Sequence, residues 1–195
     1  YSQTERFIRS HSAAKEPETV KWIEAMPTGA VFWDVGANIG AYSLIAASRG
    51  LQVCAFEPHP PNVLSLQENK KINRFTFPCF EVALSDHDGL MYFEWSSAEP
   101  GTAMHHQIQQ PVGAPVTCCR GDSLISRNVP PPEFMKIDTD GGEDEILTGM
   151  GTYLDGVQSI MIETEATSEL AIRGFHETGR WAIPGHPLEN RSFSR

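Results

Sequence analysis

Val31-Phe32-Trp33-Asp34-Val35-Gly36-Ala37-Asn38-Ile39-Gly40 is the stretch on which the fold turns. Val31, Phe32, Trp33 and Val35 form a short run of β-branched and aromatic residues, as a buried strand does. Gly36 to Gly40 supplies a glycine turn, and Ala41, Tyr42, Leu44, Ile45 and Ala47 continue at helical spacing until Gly50 stops them. Strand, glycine turn and helix in this order belong to an open α/β sheet, whose ligands sit at the carboxyl ends of the strands.

The glycines narrow the ligand. A dinucleotide site uses G-x-G-x-x-G, whose middle glycine admits a pyrophosphate to the helix N-terminus. Asn38 holds that middle position, where a side chain obstructs a pyrophosphate but suits a ligand that has none. Asp34 adds a negative charge suited to a cationic group. S-adenosylmethionine (SAM), with an amino acid and a sulfonium but no phosphate, fits both. Gln52–Phe56 reads as a second apolar strand closed by Glu57-Pro58, and a carboxylate there can accept hydrogen bonds from both ribose hydroxyls. Glu57 lies 17 residues past Gly40, a spacing that suits NAD as well as SAM. A nicotinamide oxidoreductase is therefore a rival, and Asn38 counts against it. D-x-G-x-N-x-G followed by E-P is the class I methyltransferase pattern.

With 195 residues, the expectation is a helical segment over 1–30 followed by one domain over 31–195. Its 15 basic and 25 acidic residues give a net charge of −10, which opposes binding to a phosphate backbone and argues against DNA or RNA as substrate. No apolar run approaches the roughly 18 residues of a membrane span, and the polar N-terminus does not read as a signal peptide. Cys54, Cys79, Cys118 and Cys119 show no C-x-x-C spacing, so a reduced, cytoplasmic protein is expected.

Glu16-Pro17-Glu18 starts a helix that turns Val20, Ile23 and Met26 inward. A helix opened by His59-Pro60-Pro61-Asn62 is expected to bury Val63, Leu64, Leu66 and Ile72, with His59 a turn residue. Phe75 to Phe80 reads as a third strand. Ala83 to Ser85, an Asp86-His87-Asp88-Gly89 turn and Leu90 to Trp95 read as a hairpin. Residues 96–115 read as an irregular loop in which His105 or His106 is a candidate base. Val116 to Arg120 is a short strand. Phe134 to Ile137 delivers Asp138 to the same sheet edge as Asp34 and Glu57. Asp140, Gly141 and Gly142 then form a turn, and Glu143, Asp144 and Glu145 load the next helix with acids that its dipole favours. Val157 to Ile162 is a core strand ending at Glu163, and Thr167 to Gly174 is a helix. Phe175 to Glu189 is a connection, and Asn190 to Arg195 is a final strand.

On DVGANIGAYSL at 34–44, AFEP at 55–58, ALSDHDG at 83–89, KIDTDGGEDEILTG at 136–149 and MIET at 161–164, the chain resembles the FkbM family of SAM-dependent methyltransferases. It departs from that pattern at Asp140, commonly Glu, and at Gly142, commonly a bulky apolar residue. The resemblance implies a class I, Rossmann-like α/β fold: a central, mostly parallel seven-stranded sheet flanked by helices, with an inserted β-hairpin. It implies O-methylation of a hydroxyl on a sugar or natural-product acceptor. It places Asp34, Gly36, Asn38 and Gly40 around the methionine part of SAM, Glu57 and Pro58 at the ribose, and Val82 and Ala83 at the adenine. Asp138 is the first candidate for the base that takes the acceptor proton, and His105 or His106 the second. A third route has Asp138 and Glu163, at the ends of adjacent strands, hold Mg²⁺ that polarises the acceptor oxygen. The alternative is a SAM-binding relative without catalysis.

Overall fold

The computed structural model describes residues 16–94, 106–108, 113–139, 141–163, 168–182 and 189–195. In chain order the first elements are α1 (Pro17–Glu24), β1 (Val31–Val35), α2 (Ala41–Ser48), β2 (Gln52–Phe56), α3 (Pro60–Ile72), β3 (Cys79–Phe80), β4 (Ala83–Leu84) and β5 (Gly89–Glu94). Then come β6 (His106–Ile108), β7 (Ala114–Cys119), α4 (Gly121–Ser126), β8 (Phe134–Ile137), α5 (Glu143–Gly149), β9 (Ser159–Glu163), α6 (Ser168–Ile172), β10 (His176–Ala182) and β11 (Glu189–Ser194). A seven-stranded sheet runs in the order β10-β11-β9-β8-β1-β2-β3, and a four-stranded sheet in the order β4-β7-β5-β6. Strands β3, β2, β1, β8 and β9 are mutually parallel, while β11 runs antiparallel to both β9 and β10.

Successive side chains of a strand face opposite sides of the sheet, and β1 uses both. Phe32 packs with Ile23, Ala46 and Val53 under α1 and α2. Trp33 and Val35 pack with Met135, Leu147 and Ile160 on the other side. Burial on both faces is why the central strands read as unbroken apolar runs. Helix α1 belongs to the first face, where the Trp22 indole N–H donates to Ser159 Oγ at 3.0 Å.

Two glycines fix the turn after β1. A Cβ on Gly36 (φ +77°) would lie 1.9 Å from the carbonyl oxygen of Asp138, so the turn and the end of β8 touch backbone to backbone. A Cβ on Gly40 (φ +86°) would meet Leu66 Cγ at 2.8 Å, so α2 starts hard against α3. Asn38 takes φ 51°, the left-handed conformation that Asn tolerates better than most residues.

Several segments depart from the sequence reading. Of Phe75 to Phe80, only Cys79–Phe80 pairs with β2, because Pro78 has no N–H to extend the ladder backward. Strand β5 does not pair with Ala83–Leu84. Strand β7 lies between them, parallel to β4 and antiparallel to β5, and β6 adds to the far side of β5. The Asp88 carboxylate accepts from the Arg120 N–H at 2.8 Å and from Ser123 Oγ at 2.7 Å, tying the turn to the start of α4 instead of closing a hairpin. The stretch 96–115, expected as a loop, contains β6 and the start of β7. His105, Asp140, Trp95 and Thr167 lie outside the described residues. Part of the expected connection from Phe175 to Glu189 is β10, an edge strand with no buried face and so no apolar alternation to announce it. Helix α3 buries Asn62, Ser65 and Asn69 beside Val63 and Leu66, whereas Leu64 and Ile72 are each 65% exposed. Among the described residues, no helix is long and apolar enough to cross a membrane. All four cysteines are free thiols.

Candidate active site

A cleft with about 860 Å³ of atom-free space, part of it open to solvent, lies over the carboxyl ends of β1, β2 and β8. Gly36, Asn38, Glu57, Pro58, Val82, Ala83 and Asp138 line it, as the sequence suggests. Asp34, Gly40 and Glu163 do not.

Glu57, at the tip of β2, is 4% exposed. Its Oε2 accepts the Asn38 backbone N–H at 2.8 Å; its Oε1 accepts the His59 N–H at 2.9 Å and Asn62 Nδ2 at 3.2 Å. With about two lone pairs per oxygen, Oε1 is filled and Oε2 has room for one more donor. The remaining acceptor capacity of Glu57 is thus on Oε2. Burial pushes the Glu57 carboxyl up to about 7, against the pull of its three donors. The residue that orients it, Asn62, comes from the polar face of α3. Asn62→Ala is expected to cost about 1 kcal/mol of stability, the scale of one hydrogen bond, read by denaturant unfolding.

Asp34 sits behind the cleft. It is 1% exposed, on the α2 face of the sheet, and its Oδ2 accepts from Ser43 Oγ at 2.5 Å. Burial raises its pKa, opposed by Lys136 and Ser43. Lys136 is its register partner on β8, and the Asp34 charge also bears on Asp138 and Glu57. Asp34 is thus held by Ser43 of α2 and does not line the cleft.

Lys136 is the residue that sequence reasoning missed. A lysine inside an otherwise apolar strand, Phe134-Met135-Lys136-Ile137, was the available signal. It is 1% exposed, its Nζ donates to Asp138 Oδ2 at 2.6 Å, and it lies 4.8 Å from the centre of the Tyr42 ring. Burial works to lower its pKa, but Asp138, Asp34 and Glu16 outweigh this and hold it above the ordinary lysine range. Glu163 stands at the tip of the adjacent β9, and burial followed by the Asp138 charge pushes its carboxyl up to about 8.

Mg²⁺ held by Asp138 and Glu163 does not fit this arrangement. An ammonium already stands against Asp138, Glu163 is pushed toward its neutral form, and a hard divalent cation needs a larger set of oxygen ligands. Among the described residues, no group of three or more His, Cys, Asp or Glu is placed to hold a metal ion. Glu145, read from sequence only as a dipole complement, also lines the cleft, as do Thr139, Met91 and Phe93.

The Methyltransferase FkbM domain matches residues 34–181. This chain belongs to the FkbM methyltransferase family. It is 35% identical over 138 residues to the hexuronic acid methyltransferase AglP of Haloferax volcanii, an alignment covering 70% of this chain and 56% of that protein. The chain thus spans little more than half the length of that curated relative. It superposes on precorrin-6y C5,15-methyltransferase from Geobacter metallireducens with a TM-score of 0.55 at 14% identity, covering 92% of this chain and 86% of the other. Against magnesium protoporphyrin IX methyltransferase from Synechocystis, solved with bound SAM, the TM-score is 0.55 at 11% identity, covering 99% and 83%. At these identities the likeness establishes the fold, which for this FkbM chain is the class I methyltransferase sheet.

Proposed function

We propose that this FkbM domain binds SAM in the cleft and methylates a hydroxyl oxygen of a sugar acceptor. The observation that carries the reading is the cleft's charge. Glu57, Asp138 and Glu145 line it, and among the described lining residues there is no Lys, Arg or His. Such a lining favours a cationic ligand and repels the phosphates of a dinucleotide. The turn supports the same choice, since the Asn38 N–H that a phosphate would want is already given to Glu57. SAM, when bound, supplies an electrophilic methyl group and a positive sulfonium charge.

The residues divide the remaining work. Glu57 Oε2 accepts one ribose hydroxyl, Val82 and Ala83 offer apolar contact to the adenine, and Gly36 and Asn38 border the methionine part. Asp138, whose side chain is 31% exposed at the cleft, takes the proton of the acceptor hydroxyl. Lys136 favours the ionised form of Asp138 and fixes its orientation. The name of the Haloferax relative, a hexuronic acid methyltransferase, supports a sugar as acceptor. We read 31–195 as the catalytic unit with α1 docked onto it, and the free thiols as fitting a reducing cytoplasm.

A thermal-shift comparison tests the cofactor. SAM at a hundredfold excess over its Kd is expected to add about 2.7 kcal/mol of stability, a rise of several degrees, with no rise for NAD. A rise with NAD alone would overturn the assignment. Labelled methyl from SAM, followed into a panel of neutral sugars and hexuronates, tests the reaction. SAM binding without product on any acceptor would favour a non-catalytic SAM-binding relative.

A further inference from the structure

The turn that follows β8 carries Asp138 into the cleft and is built with little to stiffen it. Gly141 (φ +121°) and Gly142 (φ +88°) follow one another with positive φ, which glycine adopts at no steric cost. A Cβ on Gly141 would meet nothing within 4 Å, so no packing holds the chain there. Glycines lose the most conformational freedom when fixed, so such a turn keeps one shape only if something ties it.

On the strand side Asp138 is tied. Its N–H donates to the Val35 carbonyl at 3.1 Å, its own carbonyl stands where a Cβ on Gly36 would be, and its Oδ2 accepts from Lys136 Nζ at 2.6 Å. On the helix side the tie is Glu143, the first residue of α5. Its Oε1 accepts the Gly141 N–H at 2.9 Å and the Thr139 hydroxyl at 3.0 Å, so one carboxylate oxygen spans the turn. Thr139 Oγ1 also lies 3.1 Å from the Gly141 carbonyl, but its single proton is better spent on a charged acceptor. Complementing the helix dipole asks for none of this. Glu143 is half-buried against the turn, whereas Asp144 and Glu145, which answer the same dipole, are exposed. Thr139, Gly141 and Gly142 line the cleft beside Asp138, and Glu143 stands behind them.

We propose that Glu143 is a positioning residue for methyl transfer: its carboxylate clamps the turn after β8 and thereby fixes the direction of Asp138 in the cleft. The inference rests on the reading of Asp138 as the base and adds what holds that base still. The β-ladder sets the backbone of Asp138 on its amino side, and the clamp sets it on its carboxyl side. With the clamp in place, the Asp138 carboxylate stays between Lys136 and the acceptor hydroxyl. Without it the turn samples several shapes, few of which present the carboxylate to the proton it must take. A misplacement of about 1 Å at such a group costs about 10²-fold in rate.

Two substitutions separate reach from charge. Glu143→Gln loses the charge and keeps a side-chain carbonyl at the same distance. Glu143→Asp keeps the charge that the dipole favours and withdraws it from both donors by one methylene. Labelled methyl transfer from SAM to the panel of neutral sugars and hexuronates should stay within about threefold of wild type in Glu143→Gln and fall about 10²-fold in kcat in Glu143→Asp. The Kd for SAM, by calorimetry, should move little in either, which a general loss of structure would not allow. Hydrogen exchange at the Gly141 amide gives the same order without an acceptor: slow in wild type and in Glu143→Gln, and about tenfold faster or more in Glu143→Asp. Full turnover in Glu143→Asp, equal losses in the two variants, or fast exchange at Gly141 in the wild type would overturn the proposal. Asp138→Asn, measured beside them, keeps two failures apart. Wild-type-like turnover in that variant, or no product from the wild type on any acceptor, rejects the base reading and this inference with it. Loss of turnover in Asp138→Asn with full turnover in Glu143→Asp rejects the inference alone.

Discussion

Asp138→Asn is expected to lower methyl transfer by about 10²–10⁴-fold, the range that a positioned general base contributes, while SAM still binds within about tenfold of wild type. The asparagine keeps the shape and can still accept from Lys136 Nζ, but it cannot take the acceptor's proton. Asp138→Ala goes further. Lys136, 2% exposed at its side chain, would lose its closest partner, and breaking a buried ion pair costs about 3–5 kcal/mol. The neighbouring Asp34 and Glu163 soften that loss. The two variants thus separate chemistry from stability: both should lose turnover, and only the alanine should unfold at clearly lower denaturant. Turnover near wild type in Asp138→Asn would remove Asp138 as the base.

Glu57→Ala carries the second large effect. Its carboxylate holds the Asn38 and His59 N–H groups and Asn62 Nδ2, all at 3.2 Å or less, in a nearly waterless spot. Removing it takes the acceptor from three buried or part-buried donors, each costing about 1–3 kcal/mol when left unpaired, partly offset by the loss of a buried carboxyl. In the fraction that remains folded, SAM affinity is expected to fall by about 1–3 kcal/mol, the worth of a hydrogen bond to a charged group. Glu57→Gln should sit between the two, since its one carbonyl oxygen can still serve His59 and Asn62. Chemical unfolding and calorimetry measure both quantities. Unchanged SAM affinity in Glu57→Gln and Glu57→Ala would take Glu57 out of the ribose site.

The parts of this molecule that were legible in its sequence are those where local pattern and burial agree. Trp33 and Val35 followed by Gly36 announce a buried strand meeting a backbone contact, and Ile137 followed by Asp138 announces the strand tip beside it. What stayed hidden was decided by partners distant in sequence. Strand β10 has no buried face, so nothing in its pattern announces it; what ties it is Glu177, paired with Arg180 beside it and with Arg191 on β11. The buried face of α3 is polar because Asn62 serves Glu57 and Asn69 Nδ2 donates to the Ile39 carbonyl at 2.9 Å. Hydrophobic spacing pointed to Leu64 and Ile72 instead. Asp34, Glu57 and Asp138 were singled out on residue type and strand position alone. Their division of labour was not legible, because it depends on which side of the sheet each faces and on Lys136 beneath them. Asp34 and Lys136 share the α2 face, and only Glu57 and Asp138 reach the cleft.

The central claim is that two strand-end carboxylates, in a cleft with no Lys, Arg or His among its described lining residues, hold a sulfonium nucleoside with its reactive end toward Asp138. Crystals grown with S-adenosylhomocysteine test it most directly. The account predicts density with a ribose hydroxyl on Glu57 Oε2, the adenine against Val82 and Ala83, and the sulfur on the Asp138 side of the cleft. A nucleoside bound elsewhere, or turned so that its sulfur points away from Asp138, would contradict it.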